Sequence, residues 1–134
     1  MGANSTMIVD VTAATTVALG ADPTVSGNVE SKSSSITVGV KSHLGGTINA
    51  AMSVTLSAGA SSCGTVEAPT ATLGADALVQ ENIEAITVTL AADSYVIGKL
   101  SATTTTLGAG VCYGSKGEEG ILTLTEGASA GSCE

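Results

Sequence analysis

One histidine, three cysteines and twelve carboxylates are the side chains with which this chain would do acid–base, nucleophilic or metal chemistry. His43 stands in "KSHLGG", beside a turn, with no Cys or His at metal-ligand spacing around it. A catalytic base needs a nucleophile beside it and a third group to orient it. Serines are plentiful, but no GxSxG elbow marks one of them. Cys63, Cys112 and Cys133 lie in the small-residue stretches "ASSCGT", "AGVCYGS" and "AGSCE", and their spacing does not suit zinc. A Cys112–Cys133 bridge is open; the odd count leaves one thiol over, and free thiols are the expectation without a legible secretory signal. The acids, among them Asp10, Asp22, Asp76, Glu81, Glu84, Asp93, Glu118 and Glu119, are scattered, and "KGEEG" holds the one adjacent pair. Calcium would want clustered oxygens. The glycine phrases lack the contexts that cradle phosphates. The reading assigns no catalytic, metal-binding or cofactor-binding residue and no cofactor, and it expects a protein that is not an enzyme.

Composition narrows the partners. The chain has no Phe, no Trp and no Arg, and its net charge is −8. Its lysines are Lys32, Lys41, Lys99 and Lys116, and its aromatics Tyr95 and Tyr113. Nucleic-acid binding needs cations on phosphates and favours aromatic stacking. Anionic membranes attract polybasic segments. Neither partner is expected, and no run of apolar residues is long enough to span a bilayer. "MGANST" fits the short patterns for myristoylation and N-glycosylation. A plain polar terminus accounts for it equally well. Aromatic side chains normally supply the largest pieces of buried area. A core without them is thin, spread between close sheets or completed by another subunit, so a homo-oligomer is expected.

The elements that would position any site are strands. "MSVTLSA", "ITVTLA" and "ILTLTE" alternate with period two and are rich in β-branched residues. "TVALGADPTV" at 16–25 returns as "TATLGADALV" at 70–79 and as "TTTLGAGVCY" at 104–113, and a Leu-Gly phrase precedes each alternating segment. Read as turn plus strand, this predicts an all-β fold: a small antiparallel β-sandwich or barrel of short hairpins. Residues 76–84 are open to a short helix or a loop. The expected organisation is an N-terminal arm over 1–15, one all-β domain over 16–127 and a C-terminal tail over 128–134. A solenoid requires a nearly fixed period. Leu19, Leu44, Leu73 and Leu107 are unevenly spaced, which argues against a solenoid and against an ice-binding Thr-x-Thr array, suggested by Thr87/Thr89 and Thr123/Thr125.

Through "SGNVESKSSSITVGV", "AADSYVIGKLSATTTTLGAG" and "GILTLTEG" the chain resembles, in overall style, the capsid decoration (cement) proteins of tailed phages. The resemblance implies a trimer on the outer capsid surface, tying capsomers of a major capsid protein together, and carries over no functional residue. A self-assembling extracellular filament or surface-layer subunit, using strand addition, is the alternative expectation. A small β-sandwich binding module is the third, weakened by the scarcity of aromatic platforms.

Overall fold

A computed structural model describes residues 4–124, with side chains described over 4–111. Its strands are β1 (Thr6–Met7), β2 (Val11–Ala13), β3 (Val17–Leu19), β4 (Thr24–Val25), β5 (Val29–Ser31), β6 (Ile36–Val38), β7 (His43–Leu44), β8 (Ile48–Ala50) and β9 (Ser53–Leu56). There follow β10 (Ser61–Ser62), β11 (Val66–Glu67), β12 (Thr70–Leu73), β13 (Leu78–Val79), β14 (Ile83–Glu84), β15 (Thr87–Leu90), β16 (Tyr95–Leu107) and β17 (Cys112–Leu124). Every strand pairing is parallel. Each strand pairs with the one three places on, until β16 takes β13, β14 and β15 together. The result is a parallel β-solenoid of about six turns, three strands to a turn. We call the three sides face 1 (β1, β4, β7, β10, β13), face 2 (β2, β5, β8, β11, β14) and face 3 (β3, β6, β9, β12, β15), with β16 and β17 running through all three.

The antiparallel sandwich or barrel is thus corrected: the fold is all-β, but its neighbours are parallel and its strands wind. No helix occurs among the described residues, and 76–84 carries β13 and β14. The proposed 128–134 tail and Thr125 lie outside the described residues.

The uneven spacing has a local cause. Register partners Met7, Val25, Leu44, Ser62, Val79 and Val96 mark successive layers at 18, 19, 18, 17 and 17 residues. All of this variation sits between faces 2 and 3. There residues 14–16, 32–35, 51–53, 69–70, 86–87 and 103–104 separate the inward residues of the two faces. Such a corner can bulge outward without disturbing the stacked strands, as surface loops generally can. The Leu-Gly phrases are also not equivalent. Leu19, Leu73 and Leu107 end strands of face 3, whereas Leu44 ends β7 on face 1.

The core is a bundle of aliphatic columns. Leu19, Val38, Leu56, Leu73, Leu90 and Leu107 form one, and Val29, Ile48, Val66, Ile83 and Leu100 another, all buried. The narrow interior is filled by one or two small or branched side chains per strand, Val54 and Leu56 from β9 but Val79 alone from β13. That explains a core built without Phe or Trp. Ala50, Ala68 and Ala102 fill the second inward position of face 2, where the walls converge.

The recurring Leu-Gly-Ala-Asp phrase is a corner, not a hairpin turn. A Cβ on Gly74 would stand 2.7 Å from the Ala58 amide nitrogen, and one on Gly108 2.8 Å from that of Ala92, so glycine lets the layers approach. The left-handed conformation comes two residues later. Asn4, Asp22, Lys41, Gly59, Asp76, Asp93 and Gly110 all have φ between 54° and 71°, one per layer. Asn, Asp and Gly are the residues that tolerate this region.

Candidate functional site

The three faces differ in what they turn outward. Face 1 presents Thr24, His43, Ser61, Leu78 and Tyr95 in one column, with no common chemistry. Face 2 presents Glu30, Asn49, Glu67 and Glu84, a concentration of the chain's negative charge in which Asn49 Nδ2 donates to Glu67 Oε2 at 3.0 Å. Face 3 is uniform. Its first outward column is Thr16, Ser35, Ser53, Thr70, Thr87 and Thr104, and its second is Ala18, Thr37, Thr55, Thr72, Thr89 and Thr106. Eleven of these twelve positions carry a hydroxyl and none carries a charge.

Strand geometry turns those columns into a grid. Parallel strands lie about 4.7–4.9 Å apart, and alternate residues along one strand about 6.6 Å apart. The pairings of β9, β12, β15 and β16 on this face run without slip; the irregularities in β16–β17 fall earlier, at Val96/Lys99 and Leu100/Ala102. The backbone of Thr123 continues the second column opposite Thr106.

The grid is most regular in its later layers. In the early ones, where the corner before face 3 is longer, hydroxyls bond one another: Ser53 Oγ donates to Ser35 Oγ at 2.8 Å, and Thr16 Oγ1 pairs with Ser34 Oγ at 2.9 Å. The hydroxyls of Thr70, Thr72, Thr87 and Thr89 have no hydrogen-bond partner among the described residues. They are left for an external partner. Threonine also holds its methyl and hydroxyl stiffly, because branching at Cβ restricts χ1.

Thr87/Thr89 and Thr123/Thr125 stand out in the sequence as Thr-x-Thr pairs; the other layers of the array do not. Counting at 17 residues would have found them: Thr70/Thr72, Thr87/Thr89 and Thr104/Thr106 fall at that interval. The titratable residues resolve differently. His43 and Cys63, unrelated by any motif, meet on face 1, with Cys63 Sγ 3.8 Å from His43 Nε2. Cys133, Glu118 and Glu119 add no described side chain to a site, nor does Cys112. Among the described residues, no three His, Cys, Asp or Glu side chains are grouped to hold a metal ion.

Compared with known proteins, the chain matches no family model, no curated protein and no solved structure.

Proposed function

We propose that face 3 is an ice-adsorbing surface and that the protein acts by binding ice rather than by catalysis. The observation that carries this is the uncharged double column of hydroxyls, in register over successive layers and set beside two faces that lack it. The surface of hexagonal ice repeats along two directions at spacings close to those of the grid. A rigid array matched to a periodic ligand loses little conformational freedom on binding. Methyl groups at the same positions add apolar area to the contact. Each threonine contributes little, and adsorption is the sum over the array.

The test is thermal hysteresis together with partition of the protein into slowly grown ice. The expected result is a freezing-point gap beyond the colligative one and enrichment of the protein in the ice. Exclusion from ice at the same rate as an ordinary globular protein would overturn the reading.

A second reading rests on a different feature. Met7, Val11, Ala13, Val17 and Leu19 line an apolar cavity of about 300 Å³ in the first layer. Strands β1, β2 and β3 each pair with the second layer and, among the described residues, with no strand on their other edge. A second copy stacked there would continue the parallel ladder and fill the cavity, which supports a self-assembling filament formed by strand addition. Light scattering across a concentration series tests it: a growing mass ladder supports end-to-end assembly, and one fixed mass removes it. Capsid decoration, with a trimer seated on a major capsid protein, remains a proposal supported by the acidic, arginine-free composition alone.

A further inference from the structure

His43, Ser61 and Cys63 converge on the outer side of face 1. β7 pairs with β10 so that His43 stands opposite Ser61. Alternation along the chain returns Cys63 to the side Ser61 occupies. His43 Nδ1 lies 2.7 Å from Ser61 Oγ, and Cys63 Sγ lies 3.8 Å from His43 Nε2. The Ser61 hydroxyl in turn donates to the Ser42 carbonyl oxygen at 3.5 Å.

The 2.7 Å contact fits either tautomer of the ring, and one of the two serves an activated thiol. A hydroxyl has a single proton. With that proton directed to Ser42, Ser61 Oγ accepts from His43 Nδ1–H. The imidazole lone pair is then on Nε2, where it faces the thiol. The chain runs from thiol to imidazole to hydroxyl to carbonyl, which is the nucleophile–base–orienting-group arrangement of an activated nucleophile. Cys63 is a free thiol and half-buried, and His43 is exposed, so a small reagent can reach the pair. The neighbours in register, Thr24 beside His43 and Leu78 beside Ser61, are uncharged.

We propose that Cys63 is a His43-activated thiol that exchanges with small-molecule disulfides. The Cys63 proton passes to His43 Nε2, and the sulfur attacks one sulfur of the disulfide. The disulfide bond breaks, and the departing thiolate takes the proton from the imidazolium. Cys63 ends in a mixed disulfide and one thiol is released, so the oxidation of Cys63 balances the reduction of the departing sulfur. Ser61 is a positioning residue: it acts by holding the ring.

The experiment treats the full chain with dithiodipyridine at pH 7, follows the released chromophore and assigns the modified cysteine by peptide mass spectrometry. Cys63 in the unmodified sequence is expected to react several-fold faster than in His43→Ala. The ceiling on that gap is roughly 30-fold, because a free thiol is already a few per cent thiolate at this pH. Ser61→Ala falls between the two, and Ser61→Thr, which restores the hydroxyl, recovers the rate. In strong denaturant the gap closes, which ties it to the folded arrangement. Equal Cys63 rates in the folded wild-type chain and folded His43→Ala would overturn the proposal.

Discussion

Lys41 and Gly59 occupy the same corner position in successive layers, both with left-handed backbone, at φ 55° and 68°. The position is filled elsewhere by Asn4, Asp22, Asp76, Asp93 and Gly110, all suited to that conformation; lysine is not. A left-handed L-residue costs roughly 1–2 kcal/mol, and glycine gives back part of the relief through unfolded-state entropy, about 0.4–1 kcal/mol. Lys41→Gly is therefore expected to stabilise the fold by up to about 1 kcal/mol. Gly59→Ala should destabilise it by about the same amount. Urea unfolding of the two variants checks the pair, and a destabilised Lys41→Gly would contradict the argument.

Thr105 breaks the pattern of the core. It takes the inward position that Val88 and Ala71 hold in the layers before, and its hydroxyl is buried with no hydrogen-bond partner among the described residues. The other buried hydroxyls are served by nearby carbonyls: Ser94 Oγ donates to Ala91 O at 2.7 Å and Ser31 Oγ to Thr15 O at 2.6 Å. An unsatisfied buried polar group costs about 1–3 kcal/mol. Thr105→Val keeps the shape and removes that group, so its melting temperature should rise. Ser94→Val should lower it, since Ser94 is paired.

The corner between faces 1 and 2 is held by side chains that take the place of missing strand bonds. Asp10 Oδ1 accepts from the Asn28 amide at 2.7 Å, Asn28 Oδ1 from that of Thr47 at 2.8 Å, and Asn82 Oδ1 from that of Lys99 at 2.8 Å. Asn28→Ala and Asn82→Ala should each destabilise by about 1 kcal/mol, the net worth of such a bond. At the same corner a Cβ on Gly64 would overlap the Gly46 backbone, so Gly64→Ala should cost about 1–3 kcal/mol. Hydrogen exchange of the Thr47 and Lys99 amides would show whether the loss is local.

The ice-adsorption reading makes a positional prediction. Thr89→Lys places a charge in the middle of the grid and should abolish most of the thermal hysteresis while leaving the fold intact. Glu67→Lys on face 2 is the matched control and should leave hysteresis unchanged. Thr16→Ala, at the irregular early edge, should have a smaller effect than Thr72→Ala. Equal effects from faces 2 and 3 would sink the assignment to face 3.

The single chain determined much of this by itself. Alternation in "ITVTLA" and "MSVTLSA" puts Ile86, Val88 and Leu90 on one face and Met52, Val54, Leu56 and Ala58 on another; Val54, Leu56, Val88 and Leu90 are buried, whereas Ile86, Met52 and Ala58, at the ends of these segments, are exposed. That is local: period two follows from the pleat whatever the strand pairs with. The parallel winding was not legible, because pairing depends on where the chain returns. Short strands closed by glycine corners read equally well as hairpins. Leu44-Gly45 looked equivalent to Leu73-Gly74 although the two end strands on different faces. The extra residues at 32–35, absorbed by one corner, hid the repeat by moving every later position along the sequence. Only the tertiary structure decided that Ser35, Ser53 and Thr70 share a column across unequal intervals, and that His43 meets Cys63. Those are relations across a turn of the solenoid, set by register between layers rather than by neighbours along the chain.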